Sequence, residues 1–144
     1  MLPAEVKAMC HRVNDLYNQH DLEALAAMHA PDLKLHSSGM PNGVVDFEGW
    51  QMTWRGFWSA FPNMHNEVKD MVVEGDKAVV RLVITGTQLG EFQGIPPTGK
   101  ELSLVAIDIS QYEDGKVKEE WSEFNMLSML QQLGVMPMPG PATR

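Results

Sequence analysis

The amino-acid sequence predicts an α+β fold: a single domain in which helices pack against one face of a curved antiparallel sheet. Two observations carry this. Up to Phe61 the apolar residues recur in steps of three and four, the period of amphipathic helices. From Glu67 onward they form long β-branched runs broken by Gly- and Asp-containing turns, as a strand meander requires. Helices followed by a meander give packed layers around one core.

Each element has its own signal. Val6, Met9, Cys10, Val13, Leu16 and Tyr17 form one apolar stripe on a first helix. Asp21 offers an N-cap for a short second helix carrying Leu22, Leu25 and Met28, which Pro31 should end. Residues 33–37 read as a short strand, followed by a loop holding Gly39, Pro41 and Gly43. Residues 47–61 form a third helix with Trp50, Trp54, Phe57, Trp58 and Phe61 at helical spacing, closed by Pro62. Strands are expected over 67–73, 77–88, 102–112 and 117–124. Asp114-Gly115 marks a hairpin, because that pair accepts positive φ. Residues 90–100 form a loop with two prolines, and residues 126–133 a last helical turn or two with Asn125 as its cap. Pro137, Pro139 and Pro141 make residues 135–144 an extended tail, leaving 1–134 as the domain.

The chain has 144 residues, 44% hydrophobic and 21% charged, enough to bury one real core. Lys and Arg number 11 against 19 Asp and Glu, a net charge of −8. That balance argues against nucleic acid and anionic membrane as partners, since both need a basic face. No stretch approaches the roughly 20 apolar residues that span a bilayer. The N-terminal residues lack a basic start followed by an apolar run, so a cytoplasmic location is expected. One cysteine, Cys10, excludes an intrachain disulfide. His11, His20, His29 and His65 show no metal-ligand spacing and no glycine-rich phosphate loop is present, so neither metal nor cofactor is expected. Methionine is abundant, with 11 copies, and suits irregular cores and adaptable pockets.

The order of elements resembles the cone-shaped fold of nuclear transport factor 2. Two segments, GTQLGEFQGIPPTGK (86–100) and IDISQYEDGKVKEEWSEFNMLSMLQQLG (107–134), resemble the SnoaL-like polyketide cyclase and ester cyclase family. The resemblance runs from about Val6 to Gly134. It implies a curved sheet wrapped around three helices that enclose an apolar cavity. It also implies cofactor-independent acid/base catalysis on a small apolar carbonyl or polyketide-like substrate: aldol-type cyclisation, or a related isomerisation or hydrolysis. Members of this fold commonly pair through the outer sheet face, so a homodimer is expected, with Val79, Val83, Val105, Ile107 and Ile109 supplying that face. In the family's cyclases an acidic residue following tryptophan on the last strand acts as acid/base. Here the pair reads Trp121-Ser122. This departure keeps a second reading open, a non-catalytic small-molecule-binding protein of the same fold.

Asp108 is the first candidate catalytic residue. Alternation puts Leu104, Ala106, Asp108 and Ser110 on one face, which by the resemblance lines the cavity. Burial there disfavours the charged carboxylate and tunes it for proton transfer. The alternative is an aspartate that hydrogen-bonds a neighbour and only positions the fold. The same step resembles ketosteroid isomerases of this fold, although their phenol on the first helix falls at Val13 here. His36 is the second candidate, as a general base or substrate partner, or else a rim histidine bonded to the 39–43 loop. A His36–Asp108 pair across the cavity would make an oriented base. Ser122, Glu120 and Phe124 share a strand parity and are candidate substrate contacts, while Glu119, Glu120 and Glu123 also read as a solvated acidic run. Trp54 and Trp58 either stack on a flat ligand or pack the core. Met40 is a further candidate lining residue. The expected ligand is a small apolar or aromatic molecule.

Overall fold

A computed structural model describes residues 1–37 and 43–137. Its elements run α1 (Pro3–Asn18), α2 (Leu22–Ala27), β1 (His29–Ser37), β2 (Val44–Val45), α3 (Phe47–Ala60), β3 (His65–Glu74), β4 (Lys77–Thr87), β5 (Glu101–Glu113), β6 (Lys116–Phe124) and α4 (Met126–Gln132). The strands form one curved, unclosed sheet in the order β2-β1-β6-β5-β4-β3. β3 to β6 are the expected antiparallel meander. β1 instead runs parallel to β6, so the sheet is mixed. Hydrophobic alternation cannot reveal that pairing, because it reports faces and not neighbours.

The local signals mostly translate directly. Asp21 and Asp46 cap α2 and α3, accepting from Ala24 N at 3.1 Å and Gly49 N at 2.9 Å. Asn125 caps α4 through Ser128 N at 3.0 Å. Asp114 (φ 52°) and Gly115 (φ 75°) make the β5–β6 turn with both central residues at positive φ. Pro31 does not end α2. The helix stops at Ala27, and Pro31 lies inside β1, where the register with β6 shifts between His29 and Lys34 and no ladder donor is needed.

The stripe of α1 is buried through Val6, Cys10, Val13 and Leu16, against Leu35, Val80, Leu82, Ala106 and Tyr112 of the sheet. A second apolar cluster joins Ala60, Phe61, Met64, Phe92, Leu102, Leu104, Met129 and Leu133. Each fully buried Leu, Val or Phe side chain stabilises the fold by roughly 1.5–3 kcal/mol. Trp54, Ile84 and Phe124 touch both clusters. Among the described residues no helix is long and apolar enough to cross a membrane.

Candidate active site

Between the two clusters lies a partly open cavity of about 110 Å³, walled by α1, α3, α4 and the concave face of the sheet. Its surface is mostly apolar, with Leu82, Ile84, Leu104, Phe57 and Met64 prominent. The polar exceptions are ordered by strand register. One inward row runs Val80–Asp108–Ser122–Ser37 across β4, β5, β6 and β1, and the next runs Ala78–Ser110–Glu120–Leu35. Asp108 therefore faces Ser122 directly and Glu120 on the diagonal.

Asp108 is only half-buried as a residue, yet its Oδ1 is sealed from solvent and has no hydrogen-bond partner. Burial pushes its pKa up to about 7. The Ser122 hydroxyl, bonded to the carboxyl, opposes that rise, and the neighbouring negative charge of Glu120 adds to it. Two phenols stand nearby. Tyr17, on α1 one turn beyond Val13, lines the cavity, and its hydroxyl accepts from Trp50 Nε1 at 3.2 Å. Burial first, then Glu120, holds its pKa well above the ordinary phenol value, so it stays a proton donor. Tyr112 is bonded to Cys10, whose thiol burial pushes up to about 11.

Glu120 is not solvated. It lines the cavity, and its Oε1 lies 3.0 Å from Nε2 of the fully buried His29. His29 Nδ1 sits 2.6 Å from the Leu25 carbonyl, an acceptor, so Nδ1 must carry a proton. Trp50 packs on the His29 ring at 4.2 Å and fixes its plane.

The cavity thus gathers Asp108, Ser122, Glu120, Trp54 and Phe124 from the residues singled out in the sequence. It does not include His36. Leu33, Leu35 and Ser37 point inward, so the intervening His36 points outward, stacks on Trp121 at 5.3 Å and contacts Glu119 Oε2 at 2.6 Å. The expected His36–Asp108 pair is not formed: the two side chains stand on opposite faces of one sheet. Trp58 is also absent from the lining. It stacks on His20 at 4.9 Å, which in turn bonds the Met64 carbonyl. Met40 lies outside the described residues. Tyr17, His29 and Asn66 were not singled out. The available signals were a lone tyrosine in an aliphatic stripe and a polar residue at inward parity beside Val68.

Comparison with known proteins agrees with this architecture. The family model described as SnoaL-like polyketide cyclase matches residues 7–133. AclR of Streptomyces galilaeus, provisionally assigned as a hydroxylase, is 32% identical with a TM-score of 0.87, over 96% of this chain and 87% of its own. IdmH of Streptomyces antibioticus, provisionally assigned as a polyketide cyclase, is 34% identical with a TM-score of 0.77, over 94% of this chain and 100% of its own. TsrD of Streptomyces laurentii is 31% identical with a TM-score of 0.82, over 94% and 99%. A search of curated proteins finds no match. The matched length and the cone-like sheet agree: the chain belongs to the SnoaL-like polyketide cyclase family.

Proposed function

We propose that the protein is a cofactor-independent acid/base enzyme acting on a small, largely apolar, polyketide-like carbonyl compound, through aldol-type ring closure or a related isomerisation or hydrolysis. One observation carries this: a carboxyl with its pKa pushed up to about 7 stands in the wall of an apolar cavity. A group poised near neutral pH both takes and returns a proton efficiently. In the cyclisation, Asp108 as carboxylate removes a proton α to a carbonyl and the electron pair moves into the enolate. The enolate carbon bonds to a second carbonyl carbon, whose oxygen becomes an alkoxide. Asp108 returns its proton to that oxygen and is regenerated. Tyr17, and Ser122 beside the carboxyl, supply hydrogen bonds that favour the negative oxygens as they form. We propose also that a second copy covers the outer sheet face.

The test uses 4-phenyl-2-butanone, a small enolisable ketone, in D₂O. The protein should accelerate α-deuterium exchange well above the buffer rate, and Asp108→Asn should return it to that rate. Unchanged exchange in the variant overturns the assignment of Asp108. A second reading, a carrier without catalysis, draws on Ser122 standing where the family's cyclases hold their carboxylate. It predicts that the ketone quenches Trp54 fluorescence while its α-protons exchange at the buffer rate.

A further inference from the structure

We infer that Asn66, toward the far end of the cavity from Asp108, is a hydroxyl-binding subsite. The ligand it fits is an elongated, mostly apolar carbonyl compound with a hydroxyl remote from its carbonyl. This deepens the proton-transfer reading of Asp108 and rests on it.

Asn66 on β3 is 6% exposed and lines the cavity. Its backbone is fully engaged by α1. Its N–H donates to Asn18 Oδ1 at 2.7 Å, and its carbonyl accepts from Asn18 Nδ2 at 2.9 Å and Asn14 Nδ2 at 3.4 Å. These bonds hold the strand to the helix whatever side chain residue 66 carries. The side-chain amide does none of that work. Its Oδ1 is buried without a partner, and among the described residues no hydrogen bond reaches the amide. A valine or leucine there would continue the inward apolar parity of Val68. An unpaired amide at such a position is costly, and its partner is expected to arrive with the ligand.

The amide selects the chemistry. Oδ1 needs a donor and Nδ2 an acceptor, and a hydroxyl is both at once. A carboxylate would leave Oδ1 unpaired, and a bare aromatic edge would leave both atoms unpaired. Exchanging the two amide atoms changes nothing, because the pair still offers one donor and one acceptor.

Register sets the span. Asn66 faces Ile84, Ile84 faces Leu104, and Asp108 lies four residues further along β5. On a flat sheet that places the two Cα atoms about 16 Å apart, less on a curved one. The wall between them is Leu82, Ile84 and Leu104. A ring with a short chain, oxygen at each end, matches that sequence of polar, apolar and polar surface.

The experiment compares 4-phenyl-2-butanone with 4-(4-hydroxyphenyl)-2-butanone, two ketones that differ by one remote hydroxyl. Dissociation constants are read from Trp54 quenching and kcat/KM from α-deuterium exchange. The hydroxylated ketone should be favoured at least about tenfold in both. In Asn66→Leu and Asn66→Ala the ratio should fall to about one in both. Equal affinity for the two ketones in the unaltered protein, or a preference that survives both variants, overturns the subsite. If neither ketone exchanges but binding keeps the Asn66-dependent preference, the subsite stands and the proton-transfer reading fails. Exchange without preference has the reverse meaning.

Discussion

At the scale of single residues, the buried carboxyl is a stability cost as well as a reactive group. The pKa of Asp108 rises on folding from the ordinary carboxylate range to about 7, so between about pH 4 and 7 the folded state holds a proton that the unfolded chain releases. Wild-type stability should therefore fall as pH climbs through that window. Asp108→Asn carries no such titration. Its Tm should match wild type near pH 4 and exceed it by several degrees above pH 7, read by calorimetry across pH. A gap that does not grow with pH would mean the carboxyl is solvated. Glu120 provides a second handle. Its negative charge raises the pKa of Asp108, so Glu120→Gln should move the midpoint of the exchange profile to lower pH. A purely structural Glu120 would leave it in place. Asp108 was legible in the sequence because an aspartate among Val105, Ala106, Ile107 and Ile109 is expensive unless used. The expected cavity position of His36 fails because Leu33 and Leu35 fix the phase of that strand and leave His36 on the outer face. The His29–Glu120 contact, 91 residues apart, has no sequence signature, because no period links β1 to a parallel neighbour at the far end of the chain.

At the scale of elements, the β4–β5 connection shows what the GEFQGIPPTG segment accomplishes. Gln88 is fully buried, and its side chain replaces a regular turn. Nε2 shares its two protons among the carbonyls of Gly90, Ile95 and Pro96, each 3.2 Å away, and Oε1 accepts from the Thr98 hydroxyl at 2.7 Å. The loop is thereby pinned so that Phe92 seats on Phe57 and Phe61 at 5.3 and 5.7 Å, closing the second cluster beside the cavity. Gly90 lies against the end of α3, where an added Cβ would clash with the Ser59 carbonyl oxygen. Backbone there cannot move aside cheaply. Gln88→Leu should cost about 2–3 kcal/mol in urea unfolding, because several buried carbonyls lose their donor together. Gly90→Ala should also destabilise, and should raise KM for the ketone more than it lowers kcat, since Phe57 borders the cavity. Wild-type stability in both would show that the loop is not held this way. The motif was readable as a loop from its prolines and glycines. The burial of Gln88 at its root was not, because one glutamine whose side chain serves four residues leaves no periodic trace.

At the scale of the whole molecule, the two faces of the sheet divide the work. The concave face builds the cavity from residues of one chain. The convex face carries an in-register row of Val72, Val79, Ile109 and Trp121, with Val105 and Ile107 beside it, 55% and 47% exposed. These apolar side chains are interrupted by the Arg81–Asp70 ion pair and Glu123 in the row of Ile107, and by Lys77 and His36 over Trp121; the proposed second copy would bring the same mixed surface by symmetry. With a net charge of −8 per chain, two copies repel at long range, so the proposed pairing would draw on the apolar side chains of this face. It should tighten as salt screens the repulsion. Val105→Lys places a charge in that contact and should convert a dimer to a monomer in analytical ultracentrifugation. Because one chain supplies the described lining of the cavity, a monomeric variant should keep the exchange activity of the wild type. A wild-type mass of one chain at every concentration and salt would remove the pairing. A monomeric Val105→Lys without activity would show instead that the second copy completes the site.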